Sequence, residues 1–211
     1  MDMPPPIDSP VSIAILAKAP IPGYANTRLI PAIGAHAAAA LQERLTDRAV
    51  ATALAAKVGP VTVWCAPDAT HSTFVRLAIR ERITLRVQPQ GDLGARMLAA
   101  TAAGNGPVLV IGTDCPALTE LHLRGAASAL REGNDIIIIP AEDGGYVLIG
   151  TRTAQPPLFS GIAWGTKSVL AETRARIVER LLVLTERPPL WDVDTEDDLA
   201  RLERELPELK L

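Results

Sequence analysis

The chain has 211 residues, of which 48% are hydrophobic and 3% aromatic, and its formal net charge is −3. This length and apolar content suit one domain with a core of Ala, Val, Leu and Ile, and they exclude a disordered chain. The charge is acidic and no basic stripe is present, so we expect no nucleic-acid partner.

The first ten residues, MDMPPPIDSP, are proline-rich and lack the basic and apolar segments of a signal peptide. We expect a disordered lead at residues 1–10 and a single domain at residues 11–211. No stretch approaches the roughly 18 apolar residues of a membrane span. The sequence therefore predicts a cytoplasmic protein without a membrane span, and it leaves the oligomeric state open.

Apolar runs alternate with helical patterns along the rest of the chain. The predicted strands, in chain order, are Ser12–Lys18, 61–65, 83–87, Val108–Ile111, 136–139, 147–149 and the extended segment 181–184. The predicted helices are 35–58, 72–82, 93–103, 118–131, 166–180 and 195–206. Such alternation predicts a Rossmann-like, three-layer α/β/α fold with a mostly parallel sheet, in which Ser12–Lys18 is central and Val108–Ile111 lies beside it. Ligands then bind beyond the carboxyl ends of the strands.

The turn after the first strand, AKAPIPGYANTRL at residues 17–29, contains two cations and a hydroxyl group. Lys18 at the strand end and Arg28 further on are placed to hold a pyrophosphate from two sides. The turn is neither a Walker A loop nor a GxGxxG fingerprint, because both patterns are absent. The alternative is a surface loop with two solvated cations.

A second cluster follows the third strand. Gln90 offers an amide that can hydrogen-bond a nucleobase edge, Gly91 permits close backbone approach, and Asp92 is a candidate N-cap for the next helix. The alternative is an ordinary capped turn between a strand and a helix.

Acidic residues follow the later strands. Asp114 stands at the end of the fourth strand and is the best candidate for a Mg²⁺ ligand, with helix capping as the alternative. Asp143, in the turn EDGG, is placed to bind a hydroxyl group, although Asp-Gly is also a strong turn signal. Asp192 and Asp194 alternate on an extended segment and should point to opposite faces. We expect only one of them, Asp194, to face the cleft.

The order of these segments resembles a known family. AKAPIPGYANTRL, QGDLGARM, TDCPAL, EDGGYVLIG, IAWGT and DVDTEDDL together resemble the DUF2064, or glycosyltransferase-A-like, proteins over about residues 12–200. That family is similar to nucleotide-diphospho-sugar transferases and to the guanylyltransferases of molybdenum-cofactor and coenzyme F420 synthesis. The resemblance implies a GT-A fold with a late antiparallel strand near 147–149. It also implies a nucleotide in the first half of the chain and Mg²⁺ between acidic residues.

Individual positions carry this resemblance. The phosphate-binding turn and the mid-domain nucleotide motif of the family correspond here to Ala17, Lys18, Thr27 and Arg28, and to Gln90, Gly91 and Asp92. The metal-binding aspartate after strand four and the late aspartate of the DxDT motif correspond to Asp114 and Asp194. Asn26 is a departure, because family members commonly have lysine there.

These observations predict glycosyl transfer from a nucleoside-diphosphate sugar to a small-molecule acceptor. Mg²⁺ (or Mn²⁺) on Asp114 and Asp194, together with Lys18 and Arg28, would stabilise the departing diphosphate, and Asp143 would hold an acceptor or sugar hydroxyl or act as a base. One alternative is nucleotidyl transfer from a nucleoside triphosphate to a phosphorylated small molecule. Another is a non-catalytic nucleotide-binding module.

Overall fold

The computed structural model describes residues 9–104 and 106–209. The predicted disordered lead falls mainly on residues 1–8, which lie outside the described residues. Within the described part, no helix combines the length and the apolar character that crossing a membrane requires.

The described chain contains seven strands and seven α-helices. Their bounds are β1 Ser12–Lys18, α1 Ile30–Ala56, β2 Val61–Ala66, α2 Ser72–Glu81, β3 Thr84–Val87, α3 Leu93–Ala102, β4 Val108–Ile111, α4 Glu120–Arg131, β5 Ile136–Pro140, β6 Tyr146–Thr151, α5 Pro156–Phe159, α6 Val169–Glu179, β7 Leu184–Glu186 and α7 Glu196–Glu205. Short 3₁₀ helices occupy Thr27–Leu29 and Pro207–Leu209.

The strands form one sheet in the order β3-β2-β1-β4-β6-β5-β7. Every pair of neighbours is parallel except those of β6, which runs antiparallel to β4 and to β5. The predicted fold is confirmed: a mostly parallel sheet covered by helices, with β1 and β4 as neighbours and one late antiparallel strand.

Both faces of the sheet are buried, which explains the continuous apolar strands. In β5, Ile137 and Ile139 pack with α1 and α4 on one face, whereas Ile136 and Ile138 pack with α3, α5 and α6 on the other. A run of four isoleucines therefore supplies both layers of the core, because successive side chains in a strand point to opposite faces.

The structure corrects four of the predicted boundaries. Helix α1 starts at Ile30 rather than residue 35 and is interrupted at Gly34, whose φ of 79° lies outside the helical range. It ends at Ala56 rather than residue 58, since Lys57 adopts the left-handed conformation. Helix α6 starts at Val169 rather than residue 166, and Leu181 (φ 56°) then turns the chain, so β7 begins at Leu184. The short helix α5 was not predicted, because four residues carry no helical periodicity.

Helix α3 packs closely against the chain near α5, and Gly94 makes this approach possible. A Cβ atom at Gly94 would overlap the Phe159 carbonyl oxygen and would lie 2.8 Å from Trp164 Nε1. In contrast, a Cβ atom at Gly125, in the middle of α4, would meet only Arg187 Nη2 at 4.0 Å.

We therefore expect opposite effects from two glycine-to-alanine substitutions in helices. Gly94→Ala should lower the free energy of unfolding by about 1–3 kcal/mol through overpacking. Gly125→Ala should raise it by roughly 0.5–1 kcal/mol, because alanine loses less backbone entropy in a helix. Urea unfolding of both variants measures the two changes, and a stable Gly94→Ala protein would contradict the packing described here.

Candidate active site

A cleft of about 400 Å³ opens at the carboxyl ends of β1 and β4. The chain leaves β1 towards β2 on one side, while β4 lies on the other, so the loops that follow the two strands diverge. The floor of the cleft is apolar and consists of Leu16, Met97, Val110 and Ile149. Its polar lining includes Lys18, Asn26, Gln42, Gln88, Arg96 and Asp114.

Backbone hydrogen bonds bring three distant segments together beside this cleft. The Val193 N–H donates to the Asp114 carbonyl oxygen at 2.8 Å. The Glu142 N–H donates to the Leu190 carbonyl oxygen at 3.1 Å, next to an isolated parallel bridge between Ala141 and Leu190. The loop after β4, the turn before β6 and the segment before α7 are therefore joined by their backbones.

This joining concentrates negative charge around Asp114. The side chain faces the cleft and is accessible from it, but protein atoms surround it closely. This burial raises the pKa of Asp114; the carboxylates of Asp194 and Asp143 raise it further, while the Lys18 ammonium lowers it.

Asp192 belongs to the same cluster. Burial, followed by repulsion from Asp114 and Asp143, raises the pKa of Asp192 to about 7. The charges of both Asp192 and Asp194 act on the cluster, but neither residue lines the cleft, so the expectation that Asp194 alone faces it stays a prediction. The expectation that their side chains point to opposite faces is wrong, because residues two positions apart on an extended segment share a face. Trp191 and Val193 are buried, whereas Asp192 and Asp194 are both half-buried.

Arg28 lies on the 3₁₀ helix after β1 and is paired with Asp194. Its Nη1 hydrogen-bonds to Asp194 Oδ2, and this bond, followed by the charge of Asp194, raises the pKa of Arg28. The side chains of Arg28 and Asp194 are 65% and 39% exposed, so solvent or a ligand reaches both partners. Lys18, by comparison, forms no ion pair with any described residue.

The acidic turn before β6 has a fixed shape. Asp143 Oδ1 accepts a hydrogen bond from the Gly145 N–H at 2.8 Å. Gly144 has a φ of 98°, and a Cβ atom there would overlap the Lys167 backbone, so glycine is required for two reasons. Arg201 joins this turn to the segment before α7, because it pairs with Glu142 at 2.9 Å and stacks on Trp191 at 4.7 Å.

The predicted nucleotide motif at residues 90–92 is exposed and lies outside the lining of the cleft. Asp92 caps α3 by accepting a hydrogen bond from the Ala95 N–H at 2.8 Å, and Gln90 and Gly91 are exposed. Of the predicted site residues, only three line the cleft: Ala17, Lys18 and Asp114. The others do not: Thr27, Arg28, Gln90, Gly91, Asp92, Asp143 and Asp194. From the same stretch of sequence it is Gln88, Leu93, Arg96 and Met97 that form the wall.

The sequence of the chain matches a family model. Residues 49–166 match the model of DUF2064, described as uncharacterized proteins conserved in bacteria. The chain belongs to the DUF2064 family. No curated protein shows significant sequence similarity to it.

Solved structures agree with this assignment. A proposed nucleotide-diphospho-sugar transferase from Desulfovibrio desulfuricans G20 superposes with a TM-score of 0.81 at 28% identity, covering 93% of this DUF2064 chain and 88% of its own. The 4-diphosphocytidyl-2C-methyl-D-erythritol synthase of Anaerococcus prevotii DSM 20548 gives a TM-score of 0.63 at 14% identity, with 95% and 98% of the two chains covered.

A third neighbour is glucosyl-3-phosphoglycerate synthase from Mycobacterium tuberculosis, solved with Mn²⁺, UDP and glucosyl-3-phosphoglycerate. It gives a TM-score of 0.59 at 12% identity, covering 95% of this chain and 78% of its own. At 14% and 12% identity, the similarity to the erythritol synthase and to glucosyl-3-phosphoglycerate synthase establishes the shared fold alone.

Several residues that the fold brings to the cleft of this DUF2064 protein were not predicted from the sequence. Gln42 projects from α1 and donates to Thr113 Oγ1 at 2.9 Å, and Tyr146 approaches from β6. Gln42 lies in a helix, outside the glycine- and proline-rich turns, whereas Tyr146 directly follows Gly144 and Gly145 but was assigned no role. A polar residue on the apolar stripe of a helix, such as Gln42, was the available signal.

The carboxylate cluster predicts an unusual pH dependence of stability. Because the pKa of Asp192 is higher in the folded protein than its ordinary value of 3.8, the folded state binds an extra proton between about pH 4 and pH 7. Stability contributed by this group therefore falls as pH rises through that window. Asp192→Asn should raise the melting temperature above pH 7, in EDTA, and this gain should shrink towards pH 4.

A matched control is Asp197→Asn, in the exposed first turn of α7. Its effect should stay small over the same pH range, since exposed substitutions usually change stability by less than about 0.5 kcal/mol. Equal pH dependence in the two variants would show that burial and the neighbouring carboxylates do not raise the pKa of Asp192.

Proposed function

We propose that the protein is a transferase that uses a nucleotide-activated donor, and that it moves a glycosyl group from a nucleoside-diphosphate sugar to a small-molecule acceptor. The observation that carries this proposal is the concentration of Asp114, Asp143, Asp192 and Asp194 beside Lys18 and Arg28, at the open edge of the sheet. Carboxylates alone would repel an anionic donor, so the arrangement makes sense when a cation and a diphosphate occupy it together.

The donor set fits a hard divalent cation. Mg²⁺ takes oxygen ligands, commonly one or two carboxylates completed by phosphate oxygens and water. In the described part of the chain, no three Asp, Glu, His or Cys side chains converge as a preformed metal site. Asp114 with Asp194 or Asp192 is therefore the proposed protein contribution. When bound, Mg²⁺ or Mn²⁺ would stabilise the negative charge of a leaving diphosphate.

The two cationic side chains, Lys18 and Arg28, have different roles. Lys18 faces the cleft and is available to a phosphate oxygen as a point charge. Arg28 has a planar fork that can bridge two oxygens, but it must leave or share Asp194 to do so. We expect Arg28 to release Asp194 and bind the diphosphate when a metal ion binds Asp194 and balances its charge.

Asp143 is the proposed contact for the acceptor or sugar. Its Oδ1 holds the turn through Gly145, while Oδ2 makes no hydrogen bond within the described residues. That oxygen is free to accept a hydroxyl hydrogen bond and to take the proton when the hydroxyl attacks.

Nucleotidyl transfer uses the same groups and is the second candidate. The named neighbours support both classes of transfer. One is glucosyl-3-phosphoglycerate synthase, solved with UDP and Mn²⁺, and another is 4-diphosphocytidyl-2C-methyl-D-erythritol synthase. Incubating the protein with nucleoside-diphosphate sugars or with nucleoside triphosphates, plus Mg²⁺, separates the two. Release of nucleoside diphosphate indicates glycosyl transfer, and release of pyrophosphate indicates nucleotidyl transfer.

Asp114→Asn should reduce either release by about 100-fold or more, because removal of one preorganised electrostatic group commonly costs that much. Asp197→Asn is the control and should leave the rate unchanged. Nucleotide binding with no release from any donor or acceptor would indicate a non-catalytic binding module instead.

Removal of either cationic side chain, Lys18 or Arg28, should weaken nucleotide binding. A charge-assisted hydrogen bond contributes about 1.5–3 kcal/mol, so Lys18→Ala should lower the affinity for UDP or CDP about 10- to 150-fold. Arg28→Ala should have the smaller effect, because Arg28 gives up its bond to Asp194 in order to bind the ligand. Calorimetric titration with Mg²⁺ measures both changes.

Melting curves accompany these titrations. Neither variant should lose more than about 0.5 kcal/mol of stability, since Lys18 and Arg28 are exposed. Unchanged affinity in both variants would contradict the phosphate site, and a joint loss of stability and binding in Arg28→Ala would assign its pairing with Asp194 a structural role.

A further inference from the structure

The side of the cleft next to α3, called here the inner cleft, holds an arginine that the proposed chemistry does not use. Arg96 projects from α3 into a space floored by Leu16, Met97, Val110 and Ile149. Its Nε is buried and has no hydrogen-bond partner, and it forms no ion pair with any described carboxylate. A buried guanidinium N–H without a partner is costly, so a ligand that supplies acceptors would be favoured there.

Gln88 fixes the polar pattern beside Arg96. Its Nε2 donates to the Trp64 carbonyl oxygen at 2.8 Å and to the Ala17 carbonyl oxygen at 3.2 Å. Because carbonyl oxygens only accept, the amide cannot be reversed, and Oε1 must face Arg96. Arg96 Nη1 lies 3.4 Å from this oxygen, a long hydrogen bond that leaves acceptor capacity unused.

The inner cleft thus presents the donor fork of Arg96 next to the Gln88 acceptor, above an apolar floor. An anion suits this space poorly, because four apolar side chains would desolvate it and Gln88 Oε1 would repel it. A planar heterocycle suits it well, since its ring covers the apolar floor and its edge meets the polar groups.

We infer that Arg96 and Gln88 read the nucleobase of the donor and select a base whose edge offers two adjacent acceptors followed by a donor. Cytosine presents this order with O2, N3 and the N4 amino group, and guanine with N7, O6 and N1–H. Adenine and uracil present single acceptors alternating with donors, so they leave one guanidinium N–H unpaired. This inference rests on the proposed function, because it assumes that the cleft binds a nucleotide.

The test compares four ligands that differ only in the base. CDP, GDP, ADP and UDP are titrated with Mg²⁺ into the full-length protein and into Arg96→Met, Arg96→Lys and Arg80→Met. Arg80 is the matched control, because it lies on α2 outside the cleft and pairs with Glu81. Melting curves show that each variant is folded; should Arg96→Met fail to fold, Arg96→Lys carries the same comparison.

We expect CDP or GDP to bind at least about 10-fold more tightly than ADP and UDP, and the preferred one of the two identifies the base. A bidentate arginine contact contributes about 1–3 kcal/mol of discrimination, so Arg96→Met should lower the affinity for the preferred ligand about 10- to 100-fold. ADP and UDP should lose less than about threefold. Arg96→Lys should behave like Arg96→Met, since lysine keeps the charge without the fork.

Three results would overturn the inference while leaving the proposed function intact: equal binding of all four ligands, an equal loss of affinity for all four in Arg96→Met, or full affinity in Arg96→Lys, which would point to an anion. If none of the four ligands binds the wild-type protein at millimolar concentration, the proposed function itself fails, and this inference fails with it.

Discussion

Like charges meet at one edge of the sheet because backbone hydrogen bonds hold their segments together. The bond from the Val193 N–H to the Asp114 carbonyl oxygen and the bridge between Ala141 and Leu190 bring three loops into contact. The carboxylates that these loops carry repel one another, as the raised pKa values of Asp114 and Asp192 show. The rest of the fold must supply the stability that this cluster removes.

That stability comes from a core that fills both faces of the sheet. Buried strands such as β4 and β5 contribute side chains to two layers, and helices on each face exclude water from them. The rigid strands then present their terminal loops in fixed positions. Strain concentrated at a binding edge and supported elsewhere is a common feature of functional sites.

The cleft has two chemically different ends. Asp114 and Lys18 line its outer part, and Arg28 with the other carboxylates lies beside it, where a metal and phosphates would balance their charges. Arg96 and Gln88 lie at the inner end above an apolar floor, where a flat ring is better accommodated than an anion. A nucleotide has the same polarity along its length, with charge at one end and a heterocycle at the other, and this correspondence links the two proposals.

Strong local patterns allowed much of this to be predicted. The turn after β1, the aspartate after β4 and the start of the last helix at Thr195 each depend on neighbours in sequence, and the structure contains each of them at the predicted place. Asp92 shows the limit of such reasoning, because a good N-cap and a ligand-binding aspartate look the same in sequence. Its bond to the Ala95 N–H assigns it to the helix, and Arg96, one turn later, faces the cleft instead.

By itself, the sequence determined the alternation of strands and helices, the mostly parallel sheet and the edge at which polar side chains collect, because periodicity and turn chemistry are local properties. Only the tertiary structure decided which of those side chains meet. Asp192 lies near Asp114, which is far from it in the chain. Gln88 is held beside Arg96 by the Trp64 and Ala17 carbonyl oxygens, which belong to two other strands. Such contacts depend on how separate elements pack, and no short segment of sequence encodes that packing.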